Sequence, residues 1–199
     1  MLKIREIYKN KEEKIKQHLQ KFKILQPEKY FDEFLFCLLT PGSSARRCWQ
    51  AVEELKNLQE WNKEAVSKIL KKRTRFHNNK TQRILEADTA WNRIIPLLNN
   101  PNIFELRGKL AEEVNGFGLK EASHFLRNIG KSDNQIAILD RHILKNLKSL
   151  GIIKIEAIKG YNQYIETEKI FLKFAEKINI PSDHLDLLFW SQETGEMYK

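Results

Sequence analysis

Two residues in the middle of the chain have side chains that could act together on a sugar carbon. Lys120 follows the segment Asn115-Gly116-Phe117-Gly118, and Asp140 lies twenty residues further on. A lysine near a helix N-terminus feels the positive end of the helix dipole, and partial burial also disfavours its ammonium form. The neutral amine is a nucleophile that can form a Schiff base with a carbonyl or sugar carbon. A carboxylate can stabilise an oxocarbenium-like charge and move protons.

The glycines before Lys120 predict the local structure that positions it. Gly116 and Gly118 can adopt a positive φ without steric cost, which predicts a tight turn between two helices. The first helix is predicted over about 106–114 and the second over about 119–128, where apolar residues recur at helical spacing. Backbone amides at such a turn and at a helix start suit a phosphate group.

Each of the two residues also has a simpler explanation. A lysine in the first turn of a helix is commonly a solvated surface charge. Asp140 precedes another short amphipathic run and could simply be the N-cap of that helix. Only the combination of hairpin, lysine and aspartate in this order favours catalysis over these alternatives.

Several motifs carry a resemblance to a known family. They are FCLLTPGSSA, GFGLKEASHFLRNIG, ILDRHIL and DLLFWSQETG, in chain order. This pattern resembles the helix-hairpin-helix DNA glycosylase superfamily and, within it, the type-2 8-oxoguanine DNA glycosylase/lyases of archaea and some thermophilic bacteria. The resemblance covers about residues 33–199. It implies an all-α fold of two helical lobes around a cleft, with one glycosylase unit over 1–199 and approximate lobes 1–25 plus 130–199 and 26–129.

The resemblance also implies residue roles. Lys120 and Asp140 would be catalytic, and Phe76 would stack on a base flipped out of the duplex. The tryptophan and the terminal carboxylate of the family would correspond to Trp190 and Lys199. In the family the corner at Thr40 and Pro41 lies near the base pocket. The DNA backbone would contact Asn115, Gly116, Gly118 and Arg141.

Recognition of 8-oxoguanine adds one further candidate. This base carries a proton on N7, so its discrimination from guanine needs a hydrogen-bond acceptor. Asp186 and the α-carboxylate of Lys199 are acceptors near the C-terminus. Trp190 lies one turn after Asp186 and offers an indole N–H and a flat surface.

The charge of the chain favours a polyanionic partner. The net charge is +9 and the isoelectric point is near 9.4, although charge alone does not identify the polyanion. The run Lys71–Lys80 is strongly basic and contains Phe76, which predicts a DNA-facing loop in which Arg75 and His77 flank the ring. The alternative is a solvated charged surface. The following stretch, 80–98, is predicted to be one helix despite Pro96.

Cysteine usage argues against a metal or a disulfide framework. Cys37 and Cys48 form no CxxC motif and have no histidine cluster near them. We therefore expect no metal and no cofactor. Charges interrupt residues 1–16, so no signal-peptide core is predicted, and no run is long enough to span a bilayer. We expect a monomer in a prokaryotic cytoplasm, associated with the nucleoid.

These features together predict a bifunctional DNA repair enzyme that binds double-stranded DNA containing 8-oxoguanine. Lysine Schiff-base chemistry would remove the base, and β-elimination would cleave the strand. One alternative is a glycosylase for another oxidised base, although the oxidised-pyrimidine branch usually has an iron–sulfur cluster and no cysteine follows Cys48. The other is a non-catalytic helix-hairpin-helix DNA-binding module, in which Asp140 would be a simple cap. Arg141 could contact a phosphate, and His142 could carry a proton or make a structural hydrogen bond.

Overall fold

The backbone is helical. The computed structural model describes residues 2–197, and in that range helices alternate with turns and loops, without a β-strand. The predicted all-α fold is confirmed. Two short 3₁₀ turns, Pro27–Lys29 and Ile95–Asn99, occur in the series. The α-helices are α1 (Leu2–Lys23), α2 (Tyr30–Leu39), α3 (Ala45–Lys56), α4 (Lys63–Arg73), α5 (His77–Leu85), α6 (Ala87–Ile94), α7 (Ile103–Glu113), α8 (Leu119–Asn128), α9 (Arg141–Ser149), α10 (Tyr161–Lys177) and α11 (Ser182–Thr194).

The chain forms two compact units. The central unit is the continuous segment Gln26–Phe125, which contains α2 to α7 and most of α8. The terminal unit combines the chain up to Leu25, which includes α1, with the chain from Leu126 onward, which includes α9 to α11. The boundary between the units falls within α8. Among the described residues, none of the helices combines the length and apolar character needed to cross a membrane.

Helix α2 is the core of the central unit. The side chains from Phe34 to Leu39 have no exposed surface, and complete burial of such a side chain stabilises a fold by about 1.5–3 kcal/mol. The Phe34 ring lies 5.4 Å from that of Phe117 in the hairpin and 6.0 Å from that of Phe125 in α8. Helix α2 therefore supports both the hairpin and the helix that carries Lys120.

The terminal unit is held together by α1 and the C-terminal helices. Ile15, Leu19 and Phe22 form the buried stripe of α1. The Tyr8 hydroxyl lies 2.8 Å from Nδ1 of His184, and Lys11 donates a hydrogen bond to Ser191 Oγ at 3.0 Å. Burial, with a contribution from Glu12, raises the pKa of Tyr8 to about 12. The first and last helices of the chain thus share one core.

The basic stretch Lys71–Lys80 is not the single loop that the sequence predicts, and its contact with DNA stays a prediction. It consists of the end of α4, a short connection over 74–76 and the start of α5. Arg73 donates a hydrogen bond from Nε to Glu54 at 2.7 Å, and Lys80 is only 1% exposed. Partners within the central unit therefore occupy two of the cations that the prediction assigned to DNA.

The prediction of one helix over 80–98 is also wrong. Helix α5 ends at Leu85, α6 begins at Ala87, and the segment from Ile95 is a 3₁₀ turn with Pro96 in its first positions. Proline has no backbone N–H and clashes with the preceding turn of an α-helix. The start of a new turn tolerates it because those amides lack helical partners.

Candidate active site

The hairpin between α7 and α8 requires glycine at one position. Gly116 has a φ of +97°, and a Cβ built there would lie 2.4 Å from Nε of Arg83. Any other residue would therefore be strained and would displace the arginine side chain. Gly118, contrary to expectation, lies outside the positive-φ region. Its carbonyl accepts a helical hydrogen bond from Ala122 N at 3.0 Å, so it serves as the residue that begins α8.

Glu121 is a site residue that the sequence analysis missed. Its Oε2 accepts a hydrogen bond from the Gly118 amide at 3.2 Å, and its Oε1 lies 2.8 Å from Nζ of Lys120. An acid at the third position of a helix is a known capping signal, so the first contact was visible in the sequence. The ion pair with Lys120 depends on the direction of both side chains, so it was not visible in the sequence.

The Lys120 side chain is partly withdrawn from solvent. It is 25% exposed and its partner Glu121 is 13% exposed. Burial, opposed by Cys48 and reinforced by Arg83, Lys120 and Arg75, lowers the pKa of Lys80 to about 8. Burial also raises the pKa of the Cys48 thiol to about 11, against the pull of Lys80 and Lys120. Lys120, Lys80 and Cys48 therefore share one electrostatic environment inside the central unit.

The outer side of the hairpin carries polar groups from α5 and its C-cap. Asn115 donates a hydrogen bond from Nδ2 to Oε2 of Glu86 at 3.3 Å. Hydrogen bonds from Gln82 and Asn115 lower the pKa of Glu86. The Arg83 side chain lies against Gly116 and makes no ion pair with the described residues. A positive charge is thus held at the turn where a phosphate was predicted to bind.

Phe76 presents an aromatic ring to solvent. The residue is 63% exposed, and its backbone is left-handed, with φ 56° and ψ 36°. The Cε2 side of the ring lies against Gly42, where a Cβ would be 2.9 Å from Cε2 of the phenylalanine. The Arg75 guanidinium carbon lies 5.5 Å from the ring centroid. The ring is therefore supported on the protein side and open on another side, as a stacking platform requires.

The turn after α2 uses its polar groups within the central unit. Thr40 donates a hydrogen bond from Oγ1 to the Cys37 carbonyl at 3.1 Å. The Pro41 carbonyl accepts one from Nζ of Lys80 at 2.8 Å. The expectation that Thr40 and Pro41 lie at a base pocket stays a prediction.

Asp140 is the N-cap of α9, as its simpler explanation predicted. Its Oδ1 accepts hydrogen bonds from the amides of His142 at 2.8 Å and Ile143 at 2.9 Å. Oδ1 makes both capping bonds, and Oδ2 makes no hydrogen bond within the described part of the chain. The carboxylate is therefore fixed by one oxygen and retains a second for other contacts.

The segment before Asp140 is anchored by α10. The buried carboxylate of Glu168 accepts a hydrogen bond from the Ala137 amide at 2.7 Å. The Tyr164 hydroxyl donates to the Ala137 carbonyl at 2.6 Å and lies 3.4 Å from the Leu139 amide. These two side chains position the backbone that leads to Asp140. No sequence pattern indicated this role for them, because both belong to an ordinary amphipathic helix.

The two residues after Asp140 contact each other. The exposed Arg141 donates a hydrogen bond from Nε to Nε2 of His142 at 3.3 Å. The two terminal nitrogens of the Arg141 guanidinium make no hydrogen bond within the described part of the chain, and His142 acts here as an acceptor.

Helix α11 carries two of the predicted base-reading residues. Asp186 is buried at 8% exposure, and its Oδ2 lies 3.6 Å from Nη1 of Arg127. Trp190 is half-buried one turn later. Lys199 lies outside the described residues. The guanidinium beside Asp186 compensates the charge of this carboxylate in the interior of the terminal unit.

The predicted site residues belong to different units. The central unit contains Phe76, Asn115, Gly116, Gly118 and Lys120, and the terminal unit contains Asp140, Arg141, Asp186 and Trp190. The pairing of Lys120 with Asp140 stays a prediction. Within residues 2–197, no group of His, Cys, Asp and Glu side chains is arranged to hold a metal ion. Both cysteines are free and buried.

An all-α fold with a glycine hairpin and a lysine at the start of the next helix agrees with the helix-hairpin-helix class of DNA glycosylases. A family model described as 8-oxoguanine DNA glycosylase matches residues 11–180. The chain belongs to this family. A protein of Fusobacterium nucleatum, named 8-oxoguanine DNA glycosylase/AP lyase, is 34% identical to it over 98% of this chain and 96% of that protein.

Two solved structures have the same fold. The 8-oxoguanine DNA glycosylase of Thermotoga maritima is 30% identical, with a TM-score of 0.88 over 99% of this chain and 97% of that one. The 8-oxoguanine glycosylase/lyase of Methanocaldococcus jannaschii, in complex with DNA containing 8-oxoguanine, is also 30% identical. Its TM-score is 0.88 over 100% of both chains.

Proposed function

We propose that this chain excises 8-oxoguanine from double-stranded DNA and then cleaves the strand at the abasic site. The observation that carries this proposal is the position of Lys120. It lies directly after the glycine hairpin, in the first turn of α8, with a side chain that is 25% exposed. The chain is similar over nearly its whole length to a protein named 8-oxoguanine DNA glycosylase/AP lyase. Schiff-base chemistry of that kind needs a nucleophilic amine, and Lys120 offers one at this position.

Lys120 is the proposed nucleophile. Its amine forms a bond to C1′ while the bond from C1′ to the base breaks, and the base leaves with a proton. The C1′–O4′ bond then breaks as the amine nitrogen forms a double bond to C1′, and O4′ takes a proton. This Schiff base allows loss of a C2′ proton and expulsion of the 3′ phosphate, which cleaves the strand. An ammonium must first lose a proton. The carboxylate of Glu121, 2.8 Å from Nζ, is the acceptor within reach.

Asp140 is the proposed electrostatic partner of the reacting sugar. Its Oδ1 is committed to the cap of α9, so Oδ2 is the oxygen that would face the developing positive charge. Tyr164 donates a hydrogen bond to the preceding segment and Glu168 accepts one from it, and both bonds restrain this carboxylate. Preorganised charge of this kind lowers the barrier without rearrangement during the reaction.

Base recognition is assigned to four residues. A base must leave the duplex stack to be excised, and Phe76 and Trp190 offer aromatic surface on which it would stack. Asp186 and the terminal carboxylate of Lys199 are the proposed acceptors for the protonated N7 and for donors on the Watson–Crick edge.

Binding of the DNA backbone is assigned to the hairpin and to Arg141. The amides around Gly116 and Gly118 and the side chain of Asn115 would contact one phosphate, and Arg83 lies against the same turn. The Gly118 amide currently donates to Glu121. A phosphate at this amide would have to replace that carboxylate, so Glu121 is expected to change partners when DNA binds.

Borohydride trapping tests the proposal. The enzyme is mixed with a duplex containing one 8-oxoguanine, with an undamaged duplex and with a duplex containing thymine glycol. Reduction of a Schiff base gives a stable covalent adduct. We expect an adduct with the 8-oxoguanine duplex alone, its loss in Lys120→Gln, and its retention in Lys109→Gln, which alters an exposed lysine of α7.

Each other outcome has a distinct meaning. An adduct with thymine glycol in place of 8-oxoguanine would keep the lysine mechanism and overturn the substrate. Tight binding without an adduct on any duplex would indicate a non-catalytic DNA-binding module. An adduct that persists in Lys120→Gln would remove Lys120 from the mechanism.

The proposed chemistry involves no cofactor, because the lysine amine itself is the nucleophile. The partner is double-stranded DNA containing 8-oxoguanine. We further propose that the protein acts as a monomer and associates with the nucleoid of a prokaryotic cell, and its net charge of +9 supports contact with DNA.

A further inference from the structure

Lys80 is a cation in the interior of the central unit. It is 1% exposed, although it belongs to the most basic stretch of the sequence. Lysine is almost never fully buried without a partner, because removing an ammonium from water is costly. The partners of this ammonium therefore indicate why the position holds lysine and not an apolar residue.

The Lys80 ammonium connects two turns. It donates one hydrogen bond to the Pro41 carbonyl and another to Ser43 Oγ, both at 2.8 Å. The same Ser43 oxygen accepts a hydrogen bond from the Arg75 amide at 2.8 Å. These three bonds tie α5, the turn after α2 and the connection over 74–76 to one another.

Phe76 is the residue that these connections hold in place. It directly follows Arg75, its ring lies against Gly42 of the tied turn, and its backbone is left-handed. A bulky residue in that conformation is strained, and such strain persists only where the surroundings fix it. The hydrogen bonds of Ser43 and Lys80 hold Arg75, which precedes this residue, and the start of α5, which follows it.

We propose that Lys80 is a positioning residue for base recognition, which ties the turn at Gly42 to the turn at Phe76 and so fixes the aromatic platform. This inference rests on the proposed function and deepens it. Lys80 itself does not touch the base. It determines where the Phe76 ring lies when a flipped base arrives.

An electrostatic action of Lys80 on Lys120 is the competing explanation. The two ammonium groups interact, as the lowered pKa of Lys80 indicates. Loss of Lys80 would then alter every reaction of the Lys120 amine. A platform role differs, because cleavage at an abasic site that already lacks a base needs no stacking on Phe76.

The test compares two reactions of the same protein. Single-turnover excision is measured on a duplex with 8-oxoguanine, and strand cleavage on a duplex with a preformed abasic site. The variants are Lys80→Met, Ser43→Ala and Phe76→Ala, and Lys68→Met alters an exposed lysine of α4 as a control. Since loss of stacking of one base corresponds to a change of about 5- to 150-fold, we expect excision to fall by about fivefold or more, with abasic cleavage within about twofold of wild type.

A double variant adds a second criterion. If Lys80 acts through the ring, Lys80→Met should cost little further excision in a Phe76→Ala background. Equal loss of both reactions, additive losses in the double variant, or wild-type excision by both Lys80→Met and Ser43→Ala would overturn the proposal. If Lys80→Met does not fold, Ser43→Ala alone decides, because it removes the shared oxygen and keeps the buried lysine. Failure of the wild type to excise 8-oxoguanine would instead refute the proposed function.

Discussion

Phe76 combines an exposed aromatic ring with a left-handed backbone, and both features are unfavourable in isolation. The ring is 63% exposed and φ is 56°. A side chain with a Cβ in this conformation costs about 1–2 kcal/mol relative to the right-handed region. Strain of this kind concentrates at functional sites, where the surrounding structure maintains it. Stability has been given up here for the placement of a ring.

Substitutions at Phe76 separate the backbone from the ring. Phe76→Gly and Phe76→Ala both remove the ring, but only glycine relieves the left-handed strain. We expect the glycine variant to be about 1 kcal/mol more stable than the alanine variant in urea denaturation. Both variants should excise 8-oxoguanine slowly. Equal stability of the two variants would show that the left-handed conformation is not maintained in solution.

Lys80 makes the free energy of unfolding vary with pH in the alkaline range. Its pKa falls from the ordinary 10.5 to about 8, chiefly because of burial. Between these values the unfolded chain binds more protons than the folded one, so the contribution of Lys80 to stability increases as pH rises through this window. The neutral amine still has two protons for Pro41 and Ser43.

The matched comparison is Lys80→Met against wild type. The free energy of unfolding of wild type minus that of Lys80→Met should increase between about pH 8 and about pH 10, measured by urea denaturation. The same difference for Lys68→Met, an exposed site, should stay flat. If the difference for Lys80→Met does not change with pH, burial does not lower the pKa of Lys80 in the folded protein.

Helix α8 is the element whose start determines the position of Lys120, the proposed nucleophile. Its predicted bounds, 119–128, agree with the structure, because glycine punctuation and apolar spacing are local signals. Its cap was not predicted. Glu121 accepts a hydrogen bond from the Gly118 amide and also contacts the Lys120 ammonium. The stability of the helix start and the environment of the Lys120 amine are therefore linked.

Removal of the Glu121 carboxylate should destabilise this helix start. We expect Glu121→Ala to lower the free energy of unfolding by about 1 kcal/mol, because the Gly118 amide loses its acceptor. Glu121→Gln keeps an acceptor and should lose less. The exposed Glu112 of α7 offers a neutral comparison as Glu112→Ala. Equal stability of all three variants would exclude a capping role.

The elements that the sequence did not predict depend on contacts between distant residues. Lys80 bonds to partners 37 and 39 positions away, so its burial leaves no periodic trace in a basic stretch. The anchors of the Asp140 segment, Tyr164 and Glu168, are equally remote in sequence. By contrast, the cap formed by Asp140 is local, and the sequence anticipated it. Local hydrogen bonds were predictable here, and buried polar networks were not.

At the scale of the molecule, charge and motif order carried most of the inference. The family followed from the order of the motifs along the chain, and the family match over residues 11–180 confirms it. The polyanionic partner suggested by the net charge of +9 agrees with membership of a family of DNA enzymes. Neither signal located the side chains that hold the site in place.

The same charge predicts strong dependence of binding on salt. If the protein neutralises about five phosphates, its affinity for an undamaged duplex should fall by about two to three orders of magnitude between roughly 50 and 200 mM salt. The ratio of affinities for 8-oxoguanine and undamaged duplexes should change little, because contacts to the base release few counterions. Fluorescence anisotropy titrations measure both quantities. Affinity that is insensitive to salt would contradict a binding mode dominated by phosphate contacts.

The terminal unit is built from two segments that are far apart in the sequence, and this has a consequence for folding during translation. Hydrogen bonds between α1 and its partners join residues 172 to 180 positions apart. Helix α1 therefore leaves the ribosome long before its partners are translated. The central unit is continuous and can form in the meantime. We expect the nascent chain to hold α1 as an unshielded lysine-rich segment, whose charges oppose aggregation until α11 emerges.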